Sequence, residues 1–387
     1  MAFSPIVGIF GHRQVGKTTF AEQTGGSYAT LDDQSTRENI KKDATKFLRD
    51  MGKRPSVIDE CQGEPELFPA LKEWVRKTPR PGQFILTGSV RFTSRRAIRE
   101  SLTGRLINIE LLPLIVSEFL QEPLNDLLPR LLKARRFDES SLPPQDSRQA
   151  NSLRKSALEK YLQAGGLPRI AFARSEQHRT AMLNDLHRLI LDRDLRMVLE
   201  TRLSLETLLK FVRTIALQGW NPWNASRIKR EFGLAHQTQR NLLLALESIY
   251  LIRRLPLRGR RGEIILLEDQ FEEFHLSRGQ LPLPEQYLSA VYRNTRAQFG
   301  YRTGEVVSTY CYWSPKGAKV PLVFEGRGGS LGMMIIESDL PTLSERRSSD
   351  SFIRKVSDAK TLYLSLTASR PKIIDERSMI LPIAAAL

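Results

Sequence analysis

Only two cysteines, Cys61 and Cys311, occur in 387 residues. Two thiols cannot build a disulfide framework and cannot by themselves make a zinc site, so both read as buried free thiols. Histidine is also scarce, with five in the chain, and His178 and His187 stand too isolated to be expected as metal ligands. No window approaches the roughly eighteen continuous apolar residues that a membrane helix requires, and the N-terminus lacks the charged-then-apolar pattern of a signal peptide. These absences set the expectation of a cytoplasmic protein with no membrane segment. Acidic residues are outnumbered, 43 against 59 Lys and Arg, which leaves a net charge of +16. An excess of that size points to an acidic partner, nucleic acid being the commonest, and roughly half of it lies between Gln121 and Gln280.

What is present begins with Gly11-His12-Arg13-Gln14-Val15-Gly16-Lys17-Thr18, a complete G-x-x-x-x-G-K-[ST] phosphate loop. The apolar run Pro5–Phe10 before it reads as a buried strand, and Thr18–Gln23 after it reads as the first turns of a helix. In that context Gly11, Gln14, Val15, Gly16, Lys17, Thr18 and Thr19 are the expected nucleotide-binding residues. The loop's N–H groups would cradle the phosphates at the positive end of the helix. Lys17 would reach the β- and γ-phosphates of ATP, and the Thr18 hydroxyl would hold Mg²⁺.

Downstream, Pro55–Glu60 is a short apolar strand that delivers two carboxylates at its end, the pattern of a Walker B segment. Asp59 is expected to hold the metal with Thr18, and Glu60 to polarise the attacking water. The next strand, Gln83–Thr87, would bring Thr87 or Ser89 to the γ-phosphate. A basic stretch with Arg91, Arg95, Arg96 and Arg99 follows. Arg105, just before the strand Leu106–Ile109, is a candidate catalytic arginine for a phosphate of its own chain or of a neighbour in a homo-oligomer.

Four stretches together, Gly11–Thr19, Asp59-Glu60-Cys61-Gln62, Leu86-Thr87-Gly88-Ser89 and Ser101–Leu106, followed by Pro113–Glu118, resemble a large prokaryotic family of AAA+-type ATPases. The resemblance covers about the first 120 residues. It implies a five-stranded parallel α/β sheet flanked by helices, with an extra strand between the two Walker strands, and ligands bound at the carboxyl ends of those strands.

The expected organisation is a P-loop ATPase core over 1–120, a helical region over 121–203, a winged helix over 204–280, and a small α+β domain over 281–387. Helix is expected from Glu118 to about Arg136, from Ser152 to Ala164, and along one run from Met182 to Leu199, with a stop at Gly165-Gly166-Leu167-Pro168. Helices at Leu205–Leu217, Ala225–Phe232 and His236–Ile249, then a hairpin, give the winged-helix order. Gln237, Gln239 and Arg240, with the tip residues Arg258, Arg260 and Arg261, are the candidate DNA contacts, although such modules in ATPases also serve as packing elements. In the resembling family the last domain is similar to restriction nucleases. Glu285 fits its first acidic position, but Pro321 stands where a metal-binding aspartate would be and Asp339 where a lysine would be, which implies a nuclease fold without cleavage. Two functions are compatible with these features: an ATP-hydrolysing, nucleic-acid-associated machine, or an ATP-gated scaffold with slow turnover and a protein partner.

Overall fold

The computed structural model describes residues 4–52, 55–91, 102, 104–143, 148–302 and 307–387. Arg95, Arg96 and Arg99 lie outside the described residues.

Five buried residues, Ile6–Phe10, form β1. Around it stand β2 (Ser27–Thr30), β3 (Ser56–Asp59), β4 (Phe84–Gly88) and β5 (Leu106–Glu110) in the order β2-β3-β4-β1-β5. All neighbours are parallel, and β4 is the strand between β1 and β3 that the resemblance implies. The near-continuous apolar character of β1, β3 and β4 is that of parallel strands covered on both faces. Helices α1 (Lys17–Glu22), α2 (Gln34–Asp50) and α3 (Leu67–Lys77) complete this α/β unit. The Asp33 side chain caps α2 by accepting from the N–H groups of Ser35 and Thr36. A break at Asp43, with φ −161° and ψ 91°, divides that helix.

The middle of the chain departs from the expected pattern twice. In place of one helix from Glu118 to Arg136 there are two short ones, α4 (Val116–Phe119) and α5 (Leu127–Lys133). Gln121 takes a left-handed φ of 56° between them, and Pro123 comes two residues later, so no helix can run through. After α6 (Arg148–Ala164), α7 (Pro168–Ala171) and α8 (Glu176–Leu189), the run to Leu199 passes through a π-helical turn, Ile190–Asp194, before α9 (Leu195–Val198).

Helices α10 (Leu205–Gln218), α11 (Ala225–Phe232) and α12 (His236–Ser248) lead into the hairpin β6 (Ile252–Arg258) and β7 (Glu263–Leu267). Then come α13 (Gln270–Ser277), α14 (Leu283–Gly300), β8 (Ser308–Trp313), β9 (Lys319–Gly326), β10 (Gly329–Ile336), α15 (Leu343–Lys355), β11 (Ala359–Ser365), β12 (Lys372–Asp375) and β13 (Ser378–Pro382). The second sheet has eight strands in the order β12-β13-β11-β10-β9-β8-β6-β7, so the hairpin and the C-terminal strands share one sheet. Their junction is short, with Leu257 and Arg258 of β6 beside Cys311 and Tyr312 of β8. One apolar core joins this sheet to α4–α6, with Leu128, Tyr161, Trp220 and Leu322 among its buried members. No helix among the described residues is long and apolar enough to cross a membrane.

Candidate nucleotide site

The loop after β1 is shaped by close backbone approach. A Cβ on Gly11 would lie 2.2 Å from the carbonyl oxygen of Leu111, and Gly16 turns with a φ of 98°. Both positions therefore require glycine, one for space and one for conformation. Gln14 also takes a left-handed φ, of 61°. Val15 packs its side chain in an apolar cluster with Leu186 and Ile190.

Lys17 opens α1 and curls back over the loop, donating to the carbonyls of Gly11 at 3.2 Å and His12 at 2.9 Å. It is 5% exposed, and burial pushes its ammonium down against the pull of Glu60 and Asp59. Thr18 donates to Asp59 Oδ2 at 2.8 Å, which brings the loop and the end of β3 together. Asp59 also accepts from Tyr28 at 2.8 Å and, on its other oxygen, from Thr87. Glu60 comes next in a left-handed conformation with φ 52°. Its carboxylate accepts from Gln62, and Ser89 lies within 3.4 Å of the same oxygen.

A cavity of about 400 Å³ opens over these groups, lined by Arg13, Gln14, Gly16, Lys17, Thr18, Thr19, Asp32, Asp59, Glu60, Pro168, Arg169 and Leu189. Most of the expected nucleotide residues thus meet around one space. Thr87 and Ser89 both come to the two-carboxylate end of β3, Thr87 against Asp59 and Ser89 against Glu60.

Arg105 is elsewhere. It precedes β5, whose first residue Leu106 pairs with Ile6, while the phosphate loop leaves β1 at its other end, after Phe10. Five residues of strand separate the two, about 13–16 Å, so the structure does not bring Arg105 to the phosphate cavity of its own chain. Arg91, for its part, donates to the Glu247 carbonyl at 2.9 Å and lies over the Tyr250 ring.

Several site groups come from stretches whose sequence carries no motif. Asp194, on the π-helical turn, takes both Nε and Nη2 of Arg13, at 2.6 and 3.0 Å. Arg193 beside it reaches Asp32 at 2.5 Å. Gly165 and Gly166 bring Pro168 and Arg169 to the cavity. Gly166 N–H donates to Asp269 at 2.6 Å, and a Cβ on Gly166 would lie 2.2 Å from the Leu114 carbonyl oxygen. His12 is fully buried, with Nδ1 on the Arg13 carbonyl at 2.7 Å and Nε2 3.3 Å from Glu272. His187 meets the same Glu272 oxygen at 3.0 Å. Burial works against a charged His12 ring, but Glu272 outweighs it and raises His12. Burial likewise opposes the Glu272 charge, and the two histidines overcome it, holding that carboxyl far below the usual range. Both nitrogens of His12 face acceptors, as an imidazolium requires. Among the described residues no group of three or more His, Cys, Asp or Glu is disposed to hold a metal ion.

The candidate DNA contacts divide. Arg240, Arg260 and Arg261 are exposed. Arg258 is held by both oxygens of Glu325 and lies over Tyr310, and Arg260 lies over Trp313. Gln239 is a correction, since it is buried and donates to the carbonyls of Ala225 and Leu234, and so cannot read a base edge. Glu285 accepts from Trp220 N at 3.1 Å, and Asp339 accepts from Thr367 at 2.6 Å.

Comparison with known proteins fits this geometry. Residues 3–120 match a family model described as an AAA domain, and residues 155–261 match a domain of unknown function. The chain is similar to an uncharacterized protein of Mycobacterium bovis and to one of Mycobacterium tuberculosis. Each is 26% identical over 259 residues, which is 65% of this chain and 50% of the relative. The chain therefore spans about half the length of the curated relatives it matches. The N-terminal unit is a P-loop NTPase-like α/β fold of AAA type, followed by helical and mixed-sheet regions.

Proposed function

We propose that this protein binds ATP in the cavity above β1 and β3 and hydrolyses it with Mg²⁺. The observation that carries the reading is the Thr18–Asp59 contact of 2.8 Å, which places the metal-side hydroxyl and carboxylate together beside Lys17 and Glu60. Gly11, Gln14, Val15, Gly16 and Thr19 supply the loop that surrounds the phosphates, and Lys17 gives up its carbonyl partners to face the β- and γ-phosphates. Thr18 and Asp59 are the residues that would hold Mg²⁺, an oxygen-seeking ion whose bound charge neutralises the phosphate oxygens. Glu60 accepts a proton from the attacking water, and Ser89 orients that carboxylate or the phosphate.

Glu60→Gln tests the assignment, because the amide keeps the shape and loses the base. Turnover should fall by about 10²-fold or more with ATP binding retained. Hydrolysis at the wild-type rate would overturn the role of Glu60.

We propose further that the exposed Arg240, Arg260 and Arg261 contact a nucleic-acid backbone. Exposed basic side chains on a third helix and a hairpin tip support this reading, and the winged-helix order of α11, α12, β6 and β7 is compatible with it. The C-terminal unit, with Pro321 in β9 and Asp339 after β10, is proposed as an inactive nuclease-like domain. A part for Arg105 would need a homo-oligomer in which a second copy offers its loop to that end of the sheet. The engagement of Arg258 by Glu325 and the burial of Gln239 favour the alternative of an ATP-gated protein with a protein partner, which a lack of DNA binding would select.

A further inference from the structure

We infer that Arg13 is the arginine that stabilises the γ-phosphate during transfer, and that the buried Asp194 of the π-helical turn is its positioning residue. This rests on the ATPase reading above. Arg13 lines the nucleotide cavity together with Lys17 and Glu60. Burial works against the Arg13 charge, and Asp194, with Glu60 behind it, outweighs burial and raises the guanidinium.

A guanidinium has five N–H donors in a fixed plane. Asp194 occupies two of them, through Nε and Nη2. The pair fixes the plane and leaves the remaining donors for a ligand, the arrangement that suits a phosphate oxygen. Asp194 is 1% exposed, and Arg13 takes both of its oxygens. The π-helical turn adds one residue per turn where the helix passes the phosphate loop, a feature often found at functional sites. Within that turn Asp194 takes Arg13, and its neighbour Arg193 reaches Asp32, which also lines the cavity. The arginine function expected of Arg105 is thereby supplied within the chain, from inside the phosphate loop, and the helical region takes part in hydrolysis through Asp194.

The test measures kcat and the affinities for ATP and ADP in Arg13→Ala, Arg13→Lys, Asp194→Asn and the double variant Arg13→Ala/Asp194→Asn. The double variant leaves no buried unpaired carboxylate and so keeps the test open if Arg13→Ala folds poorly. We expect kcat to fall about 10³-fold in Arg13→Ala and the preference for ATP over ADP to be lost, with ADP affinity nearly unchanged. Arg13→Lys should recover part of kcat as a point charge. Asp194→Asn should lower kcat by about tenfold or more, and should add nothing once Arg13 is alanine, because the two act as one unit. Wild-type kcat and a wild-type ATP-to-ADP ratio in the double variant would overturn the inference. Lys17→Ala is run beside them: if it too binds ATP normally, the nucleotide site itself is misplaced, whereas its loss of binding beside a normal double variant removes only the role of Arg13.

Discussion

At the scale of single residues, the site divides by sequence separation. Lys17, Thr18, Asp59 and Glu60 are legible because each sits at a fixed spacing within a strand–loop–helix or at a strand end, where local geometry decides position. Asp194 and Glu272 are illegible, because nothing near them in sequence announces a partner 181 residues away in one case or the buried His12 in the other. Tyr28 lies on the neighbouring strand, and only the β2–β3 register puts its hydroxyl on Asp59. The His12–Glu272 pair makes a prediction with a definite sign. His12 is raised above its ordinary 6.5, so its contribution to stability is complete below that pH and is lost as pH rises through the raised value. Glu272 is lowered, so its contribution is present above its ordinary 4.5 and is lost only as pH falls through the lowered value. The pair is at full strength between those two pH values. Glu272→Ala should therefore cost about 3–5 kcal/mol near pH 6 and distinctly less once pH has risen through the raised His12 value, measured by urea unfolding across a pH series. A cost that does not fall however far pH is raised would contradict a charged His12 paired with Glu272.

At the scale of elements, strands β1 to β5 could be placed from apolar runs ending in turn residues, and the three helices before the hairpin from their periodicity. Two helices could not. The expected Glu118–Arg136 helix has the right polar and apolar alternation but is interrupted by the left-handed Gln121 and by Pro123, where backbone preference overrides pattern. The π-helical turn leaves the periodicity of Met182–Leu199 nearly intact while rotating the helical residues beyond it, so a face-counting argument sees one helix. The Gly-Gly-Leu-Pro turn was legible as a stop but not as a joint between the AAA unit and α13. Gly166→Ala tests the joint. Its Cβ would press on the Leu114 backbone carbonyl, which cannot yield as a side chain would. We expect a loss of about 3 kcal/mol or more in unfolding free energy, at or above ordinary overpacking, together with weaker ATP binding. A variant as stable as wild type would show that the joint is loose.

At the scale of the whole molecule, the sequence suggested a chain of successive units, and the structure ties them through charge. Glu268 binds Arg253 of the hairpin and Arg296 of α14, Glu110 at the end of β5 accepts from Arg296, and Glu273 holds Arg293. Such long-range partners leave no trace in local pattern, and the shared eight-stranded sheet could not be read for the same reason. If the exposed basic side chains bind a DNA backbone, replacing Arg240, Arg260 and Arg261 by alanine should weaken binding of every sequence alike. It should also reduce the salt slope of log affinity by about 2–3, and unchanged affinity and slope would assign that surface to a protein partner. The C-terminal unit should leave DNA uncut in Mg²⁺ or Mn²⁺, and nicking abolished by Glu337→Ala, the glutamate of the Glu-x-Lys position in which Asp339 replaces the lysine, would contradict its proposed inactivity. The central claim, that the cavity over Lys17 and Asp59 is an ATP site, is tested most directly by titration calorimetry of ATP with Mg²⁺ into the wild-type chain and into Lys17→Ala. The account predicts saturable binding of one ATP per chain in the first and its loss in the second, and equal binding in both would contradict it.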